Sequence, residues 1–271
     1  MIQRNFRTLL LEALEEFTRT GFVNEHALQA WIVRLHAALE VELPSDAFER
    51  RELARVLGQV FKRDVYGKGL LKRVPGVSRY TIDRIAPHLR AELDRRIFAG
   101  VDLIRLNKRK VTQQTLQRFS GWVTSMPAAG KPPTDLRRVA RDIGKSVSTL
   151  KYEARRVSID QSAKLSCAVA ATVAHAEGAI GAVWNDRGAH DKSYNARPAH
   201  LKRSGTLFLI RGSWAMDDGL VKKGGLQYTD EIEDVGQLPM CSCFYTFLTS
   251  PRSLPETLLT AKGREFVKGA A

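Results

Sequence analysis

The sequence predicts an α+β protein, in which a long, mainly α-helical N-terminal portion precedes a small mixed domain rich in strands and loops. Apolar residues recur at helical spacing as far as Glu177, and short apolar runs bounded by Gly and Asp follow. The stretch "PAAGKPPTD" at 127–135 is typical of a linker within the helical portion. We therefore predict a helical domain (1–177), a small α+β domain (178–250) and a C-terminal tail or docking helix (251–271).

The N-terminal portion is predicted to begin with three amphipathic helices. Residues 3–19 carry one apolar face, formed by Phe6, Leu9, Leu10, Ala13, Leu14 and Phe17. Gly21 is expected to end this helix, and Asn24 is a suitable N-cap for the second. The third helix should start behind Pro44, with Ser45 or Asp46 as its cap.

Glycines and a proline in "YGKGLLKRVPG" interrupt this pattern, which resumes at Ser78. Pro87 is expected to kink the next helix or to divide it. The segment "VTQQTLQRFSGWVTSM" predicts a separate helix, and two or three more should follow the linker. Behind Glu177, short strands are predicted in "GAIGAVWNDRG", "GTLFLIRGSWAM" and "MCSCFYTFL".

Charge is the strongest global signal in the chain. The formal net charge is +14 and the pI is near 10.0. Self-repulsion at this level costs stability, so a polyanionic partner is the natural reason to keep it. The basic residues recur in pairs and triplets, and the candidates for nucleic-acid contact are Lys108, Arg109, Lys110, Arg137, Arg138, Arg155, Arg156, Lys202 and Arg203.

Composition argues against a membrane or secreted protein. The longest apolar run, "AVAATVA" at 168–174, is far shorter than the roughly 20 residues that a membrane span needs. The first residues predict an amphipathic helix rather than a secretory leader. Three cysteines are too few for a disulfide scaffold, and Cys167 is expected to be a core residue. We expect a soluble protein made in the cytoplasm, with no membrane partner.

The segment at 134–156, "TDLRRVARDIGKSVSTLKYEARR", has the pattern of a helix-turn-helix. Ala140 would pack in the first helix, Gly144 would form the turn, and Val147 and Leu150 would bury the second helix. The residues left to face a DNA groove or phosphates would then be Ser146, Ser148, Thr149 and Lys151. Two antiparallel helices joined by a glycine turn would give the same pattern. A DNA-binding regulator is therefore an alternative function.

Two C-terminal stretches, "YNARPAHLKRSG" and "PMCSCFY", carry residues that can ligate a metal. The available set is His190, His200, Cys241 and Cys243. Zinc takes nitrogen and sulfur ligands in a tetrahedron, although a C-x-C pair has a poorer bite than the usual CxxC. A small zinc-stapled fold could use His200, Cys241 and Cys243. The alternative is that both cysteines are buried thiols on one face of a strand.

A thiolate beside His200 would also suit nucleophilic catalysis, which makes a Cys/His-dependent enzyme a second alternative. No oxyanion hole is marked nearby, and the chain contains no GxSxG, GxxxxGK[ST] or HExxH. The carboxylate pairs Asp217/Asp218 and Glu231/Glu233 lie in polar loop sequence and are expected to be solvated. We therefore predict a protein that is not an enzyme, has no catalytic residue and requires no cofactor.

The order of the C-terminal segments resembles the minor head, or head morphogenesis, proteins of tailed bacteriophages, the family named after the F protein of phage Mu. The helical "RRVSIDQSAKLSCAVAATVAHAEG" leads to a strand with Trp184, then to R-x-x-H and a glycine, an apolar strand and C-x-C. The family pattern D-x-R-x-R-x-x-H-x-x-x-x-G is matched in its later part by Asn195, Arg197, His200 and Gly205, with the glycine one place late.

The family's N-C-R-C is matched by Met240, Cys241, Ser242 and Cys243. Met240 replaces the usual Asn and Ser242 the usual Arg, and an insert around "RGAHDKSY" lengthens the approach to Arg197. The resemblance covers roughly residues 155–250, and the helical part before it is similar only in kind.

The resemblance implies a virion component made in few copies, located in the head interior or at the portal vertex after assembly in the host cytoplasm. Its partners would be the portal and/or the major capsid protein, together with double-stranded DNA. It would act in capsid assembly or in DNA packaging and ejection. Phosphate contacts without base readout would make DNA binding strongly salt-dependent and independent of sequence.

Under this interpretation the six motif residues are structural: Trp184, Arg197, His200, Gly205, Cys241 and Cys243. Arg197 and His200 would brace a tight turn that ends at Gly205, where a positive φ costs little. Cys241 and Cys243 would pin the strand that closes the small domain, either by packing or through a shared metal.

Overall fold

The computed structural model describes residues 5–20, 25–125, 135–186 and 197–269. Within these ranges the helices are α1 (Phe6–Thr20), α2 (Glu25–Glu42), α3 (Asp46–Phe61), α4 (Gly69–Arg73), α5 (Arg79–Ser125), α6 (Leu136–Ser148), α7 (Leu150–Ala176), α8 (Pro198–Arg203), α9 (Trp214–Asp217) and α10 (Ala261–Gly269). The strands are β1 (Gly181–Asn185), β2 (Leu207–Leu209) and β3 (Phe244–Leu248). The predicted α+β class is confirmed. Three predictions fall outside the described residues: the linker except for its last residue, Asp135; the helix boundaries at Gly21 and Asn24; and the role of Asn195.

The chain forms two compact units that are discontinuous in sequence. The first contains residues 1–52 and 99–157, and the second contains residues 53–98 and 158–271. This division differs from the linear order of domains predicted from the sequence. The prediction placed its boundary where helical sequence gives way to strands, whereas the unit boundaries fall inside α3, α5 and α7.

The first unit has a core formed by α1, α2, α6 and the C-terminal part of α5. The face predicted for α1 is confirmed, because Phe6, Leu10 and Phe17 are buried and Leu9 packs against the same cluster. Phe17 meets Phe119 of α5 edge to face, with ring centroids 6.0 Å apart. Apolar side chains at helical spacing therefore hold this unit together.

The predicted separate helix at 111–126 is wrong, because residues 79–125 form one helix. Of the two expectations for Pro87, a kink or a division, the division is excluded. Ser78 caps this helix, since its hydroxyl accepts the Thr81 N–H at 3.0 Å. Pro87 is exposed, so water can solvate the carbonyl that its missing N–H leaves unpaired, and the helix continues.

The predicted turn at Gly144 is also wrong. Gly144 lies inside α6, and the break between α6 and α7 falls at Thr149. Ser146 does not face outward as predicted, because it is buried and its hydroxyl lies 2.7 Å from an Arg118 guanidinium nitrogen. The helix passes through Gly144 because Ile143 and Val147 on either side pack against the core of the first unit. The helix-turn-helix interpretation thus loses the turn on which it rested.

The second unit contains a three-stranded antiparallel sheet in the order β2-β1-β3. In the central strand, Gly181 pairs with Leu209 of β2 and Trp184 pairs with Tyr245 of β3. Cys241 and Cys243 precede β3 instead of belonging to it, so the predicted strand is too long at its N-terminal end. Among the described helices, none is long and apolar enough to span a membrane.

The segment after β3 packs onto the second unit. Leu254, Leu258 and Leu259 are buried in a cluster with Ile180 of the sheet region. Gly263 of α10 lies directly against the backbone of Leu220, where a β-carbon would overlap the Leu220 carbonyl. This close approach requires glycine at position 263.

We predict that Gly263→Ala lowers the free energy of unfolding by about 1–3 kcal/mol, because the added methyl group forces the two backbones apart. Gly58→Ala is the matched control, since it is also a helical glycine of the second unit but has open space around it. The control should stabilise by up to about 1 kcal/mol. Urea unfolding of both variants measures the effect, and equal stabilities would contradict the close packing of α10.

Candidate metal centre

His200 is brought into the second unit by the short helix α8. Arg197 is extended at its N-cap position, and Pro198 starts the helix with the φ that a first turn needs. The predicted turn is therefore a single short helix. It directs His200 inward, where only 3% of the residue is exposed.

Cys241 and Cys243 approach from the opposite segment, before β3. They are 1% and 3% exposed, and both are free thiols. Met240 has a φ of +60°, the only non-glycine residue with a positive φ among those described. Its N–H donates to Oδ1 of Asp160 on α7 at 2.6 Å. This left-handed residue interrupts the extended backbone directly before Cys241.

The three ligand atoms converge. Nδ1 of His200 lies 3.5 Å from Sγ of Cys241 and 3.5 Å from Sγ of Cys243. All three atoms lie within 4.8 Å of one another. Zinc–sulfur bonds of about 2.3 Å and zinc–nitrogen bonds of about 2.0 Å at the tetrahedral angle place N and S about 3.5 Å apart. The cluster has the donor atoms and the spacing to hold a metal ion.

The other ring nitrogen of His200 faces a carboxylate. Nε2 lies 3.4 Å from Oε2 of Glu233. If Nε2 carries the proton, Nδ1 presents a lone pair to the two sulfurs, which is the form that a metal needs. Glu233 is therefore part of the site, contrary to its predicted place in a solvated acidic pair.

Trp184 forms one wall of the cluster. It is fully buried, with its ring centroid 5.2 Å from that of His200 and 5.6 Å from that of Tyr245. Its indole N–H lies beside Cys243 and has no well-aligned acceptor among the described residues. The Arg203 guanidinium stacks 5.3 Å above the indole. A buried N–H donor beside a sulfur favours the thiolate form that binds metals.

The two ligand thiols shift each other's pKa in opposite directions. A hydrogen bond from Cys243 lowers the pKa of Cys241 to about 5, against the opposing effect of burial. The same hydrogen bond, followed by burial, raises the pKa of Cys243. Burial raises the pKa of the third cysteine, Cys167, whose thiol donates to the Cys243 carbonyl at 3.4 Å. Cys241 is thus prepared to ligate as a thiolate, while Cys167 stays a structural thiol.

The structure brings together most of the predicted motif residues. The cluster contains Trp184, His200, Cys241 and Cys243. Arg197 contacts the segment that precedes the two cysteines, because its guanidinium donates to the Pro239 carbonyl at 3.0 Å. Gly205 has a φ of +78°, as expected, and its N–H donates to the Trp184 carbonyl at 2.8 Å. His190 lies outside the described residues.

Sequence reasoning missed Asp160, Glu233 and Arg203 as parts of this site. Arg203 was predicted to contact nucleic acid, but it stacks on Trp184 and is half-buried. The signal for Asp160 was an acidic residue on the buried face of the Ala-rich α7. Glu233 carried no comparable signal, because it lies in polar loop sequence between the two motif-bearing stretches.

The remaining predicted nucleic-acid contacts fall into two groups. Lys108 is half-buried, and its ammonium group contacts the Pro44 carbonyl and Asp46. Lys108 is therefore engaged within the first unit. The side chains that are exposed to solvent are Arg109, Lys110, Arg137, Arg138, Arg155, Arg156 and Lys202.

Comparison of the chain with protein-family models, with curated proteins and with solved structures gives no match. The resemblance to the Mu F-like head proteins therefore stays a prediction drawn from the motif residues themselves.

Proposed function

We propose that this protein is a minor structural component of a bacteriophage head, associated with the portal and packaged DNA, which binds DNA through the phosphate backbone and carries a structural zinc ion. The observation that carries the DNA-binding part is a set of exposed basic side chains on α6 and at the start of α7 in the first unit. We call it the α6/α7 basic surface and define it by its exposed side chains: Arg137, Arg138, Arg141, Lys145, Lys151, Arg155 and Arg156.

The first turn of α6 supports anion binding. Arg137 and Arg138 lie where the helix dipole is already positive, and no acidic residue occupies that turn. Asp135 caps the helix by accepting the Arg138 N–H at 3.0 Å. Neither arginine side chain has an ion-pair partner among the described residues. Two unpaired arginines at a positive helix end favour an external anion such as a phosphate.

Arg141 and Lys145 continue this surface along α6 at helical spacing. At the start of α7, Arg156 lies 5.6 Å from the ring of Tyr152, which is 62% exposed. From 135 to 157 the chain contains seven basic and three acidic residues. The excess of cations suits contacts to successive phosphates.

Sequence-specific reading of bases is the weaker alternative. Ser148 and Thr149 donate their hydroxyl groups to the carbonyls of Lys145 and Ser146. Local hydrogen bonds thus occupy side chains that a helix-turn-helix would turn toward DNA. Lysine and arginine contacts to phosphate position a protein without specifying sequence.

The zinc ion is proposed on the donor set and its spacing. One imidazole and two thiols would supply three of the four ligands of a tetrahedral zinc ion, and both N–S distances match that geometry. Both thiols are buried, so a dissolved substrate would have no direct access to them. This arrangement favours a structural role over nucleophilic catalysis.

We predict about one zinc per chain in the purified protein. Removal by a chelator should lower the free energy of unfolding by about 3 kcal/mol or more, the stabilisation expected when free zinc exceeds its Kd by 100-fold. His200→Ala and the double variant Cys241→Ser/Cys243→Ser should contain no zinc and be insensitive to the chelator. Cys167→Ser is the control, since this third cysteine is outside the donor set. Elemental analysis measures the zinc content, and urea unfolding with and without chelator measures its effect on stability. A wild type that contains no zinc and is unaffected by the chelator would contradict the metal site.

DNA binding should be sequence-independent and strongly salt-dependent. We predict that the triple variant Arg137→Ala/Arg138→Ala/Arg141→Ala weakens binding at least tenfold and reduces the salt slope by about two to three units, since each phosphate contact contributes about 0.9. Fluorescence anisotropy on two unrelated duplexes between about 50 and 200 mM KCl measures both quantities.

The matched control removes three arginines that already have carboxylate partners in their own helix: Arg90, Arg95 and Arg105. It should bind nearly as the wild type does. A preference of tenfold or more for one duplex would instead support the regulator alternative. No measurable binding at low salt would overturn the DNA-binding role.

The virion assignment has its own test. Particles purified from a phage that carries this gene should contain the chain at a few copies per head, as measured by quantitative mass spectrometry. If the gene is intact but the purified, DNA-filled particles do not contain the protein, the virion assignment is contradicted.

A further inference from the structure

We propose that Glu233 and Asp160 are positioning residues of the metal centre, and that each carboxylate holds one of the two segments that supply the ligands. The inference rests on the proposed zinc ion and extends it from the three ligands to the groups behind them. Neither carboxylate lies in the donor set of His200, Cys241 and Cys243.

Glu233 acts on the imidazole. Its Oε2 lies 3.4 Å from Nε2 of His200, and a carboxylate there favours the tautomer with the proton on Nε2, in which the Nδ1 lone pair faces the two sulfurs. A carboxylate at this position selects the ligating tautomer, restrains the ring and makes the nitrogen a stronger ligand. The opposite tautomer would place a proton on Nδ1 and block the metal.

The loop around Glu233 is itself held in place. The Asp234 N–H donates to the Gln237 side chain at 2.9 Å, and the Val235 N–H donates to the Asp234 carboxylate at 2.8 Å. On the other side, Glu231 accepts the Tyr228 N–H at 3.1 Å. Glu233 therefore approaches His200 from a turn whose backbone is fixed by its neighbours.

Asp160 acts on the segment that carries the two cysteines. Its buried Oδ1 accepts the Met240 N–H at 2.6 Å, while Oδ2 is engaged by Lys164 at 3.0 Å and by Gln161 at 3.3 Å. A left-handed conformation is unfavourable for methionine, so Met240 needs a compensating contact to keep its φ of +60°. The charge-assisted bond from Asp160 supplies one.

Arg197 joins the two ligand-bearing segments to each other. It lies just before α8, three residues from His200, and donates to the carbonyl of Pro239, two residues before Cys241. The histidine and the cysteines are thus held by Glu233 and Asp160 from outside and by Arg197 between them. A preorganised donor set binds its metal more tightly because less freedom is lost on binding.

The test is zinc affinity, measured by competition with a chromophoric chelator on the full-length protein. Glu233→Ala and Asp160→Ala should each bind zinc about 10–100-fold more weakly than the wild type. Glu233→Gln and Asp160→Asn keep an acceptor oxygen and should recover most of the affinity. Glu265→Ala is the control, because it removes an exposed carboxylate of α10 in the same unit, away from the loop that carries Glu233.

Two further measurements separate positioning from general destabilisation. Met240→Asn should partly rescue the affinity of Asp160→Ala, since asparagine adopts a left-handed conformation more readily than methionine. In the cobalt-loaded protein, Glu233→Ala should shift the ligand-field absorption bands, whereas Glu265→Ala should leave them as in the wild type. Loss of fold alone would abolish the cobalt bands instead of shifting them, and Met240→Asn would not restore zinc binding.

The outcomes distinguish failure of the metal site from failure of the positioning roles. A wild type that binds no zinc overturns the proposed metal and the positioning roles together. A wild type that binds zinc, with alanine variants within about twofold of its affinity, overturns the positioning roles and leaves the metal site standing.

Discussion

The convergence of one imidazole nitrogen and two thiol sulfurs is the constraint on which the second unit depends. His200 and Cys241 are 41 residues apart in sequence, yet their ligand atoms are 3.5 Å apart in a fully buried position. Three short strands are a small source of stability, and buried polar groups cost free energy unless they are satisfied. A metal bound by these atoms would satisfy them and join the two segments across the sheet.

The proposed function separates two kinds of chemistry between the two units. The first unit carries the α6/α7 basic surface, and the opposite face of α6 is buried in an apolar core. The second carries the metal centre, with Trp184 and Arg203 packed around its ligands. Strong electrostatic binding needs exposed cations, whereas a zinc staple needs a protected donor set, so each requirement is met by a different local environment.

The sequence allowed the fold class and the three candidate ligands to be predicted, because amphipathic spacing and ligand chemistry are local properties. It did not show that α5 continues through Pro87 or that α6 continues through Gly144, since neighbouring apolar packing and solvation decide both. Asp160 and Glu233 depend on long-range contacts that no spacing rule predicts. The left-handed Met240, too, is apparent only from the backbone, although the Mu F-like resemblance expects asparagine there, which suits that conformation.

X-ray absorption at the zinc edge of the purified protein would show which atoms surround the metal. We expect two sulfurs at about 2.3 Å and at least one nitrogen at about 2.0 Å, with the sulfur scattering absent from Cys241→Ser/Cys243→Ser. Protein that contains no zinc, or zinc surrounded only by nitrogen and oxygen, would contradict a site built from His200, Cys241 and Cys243.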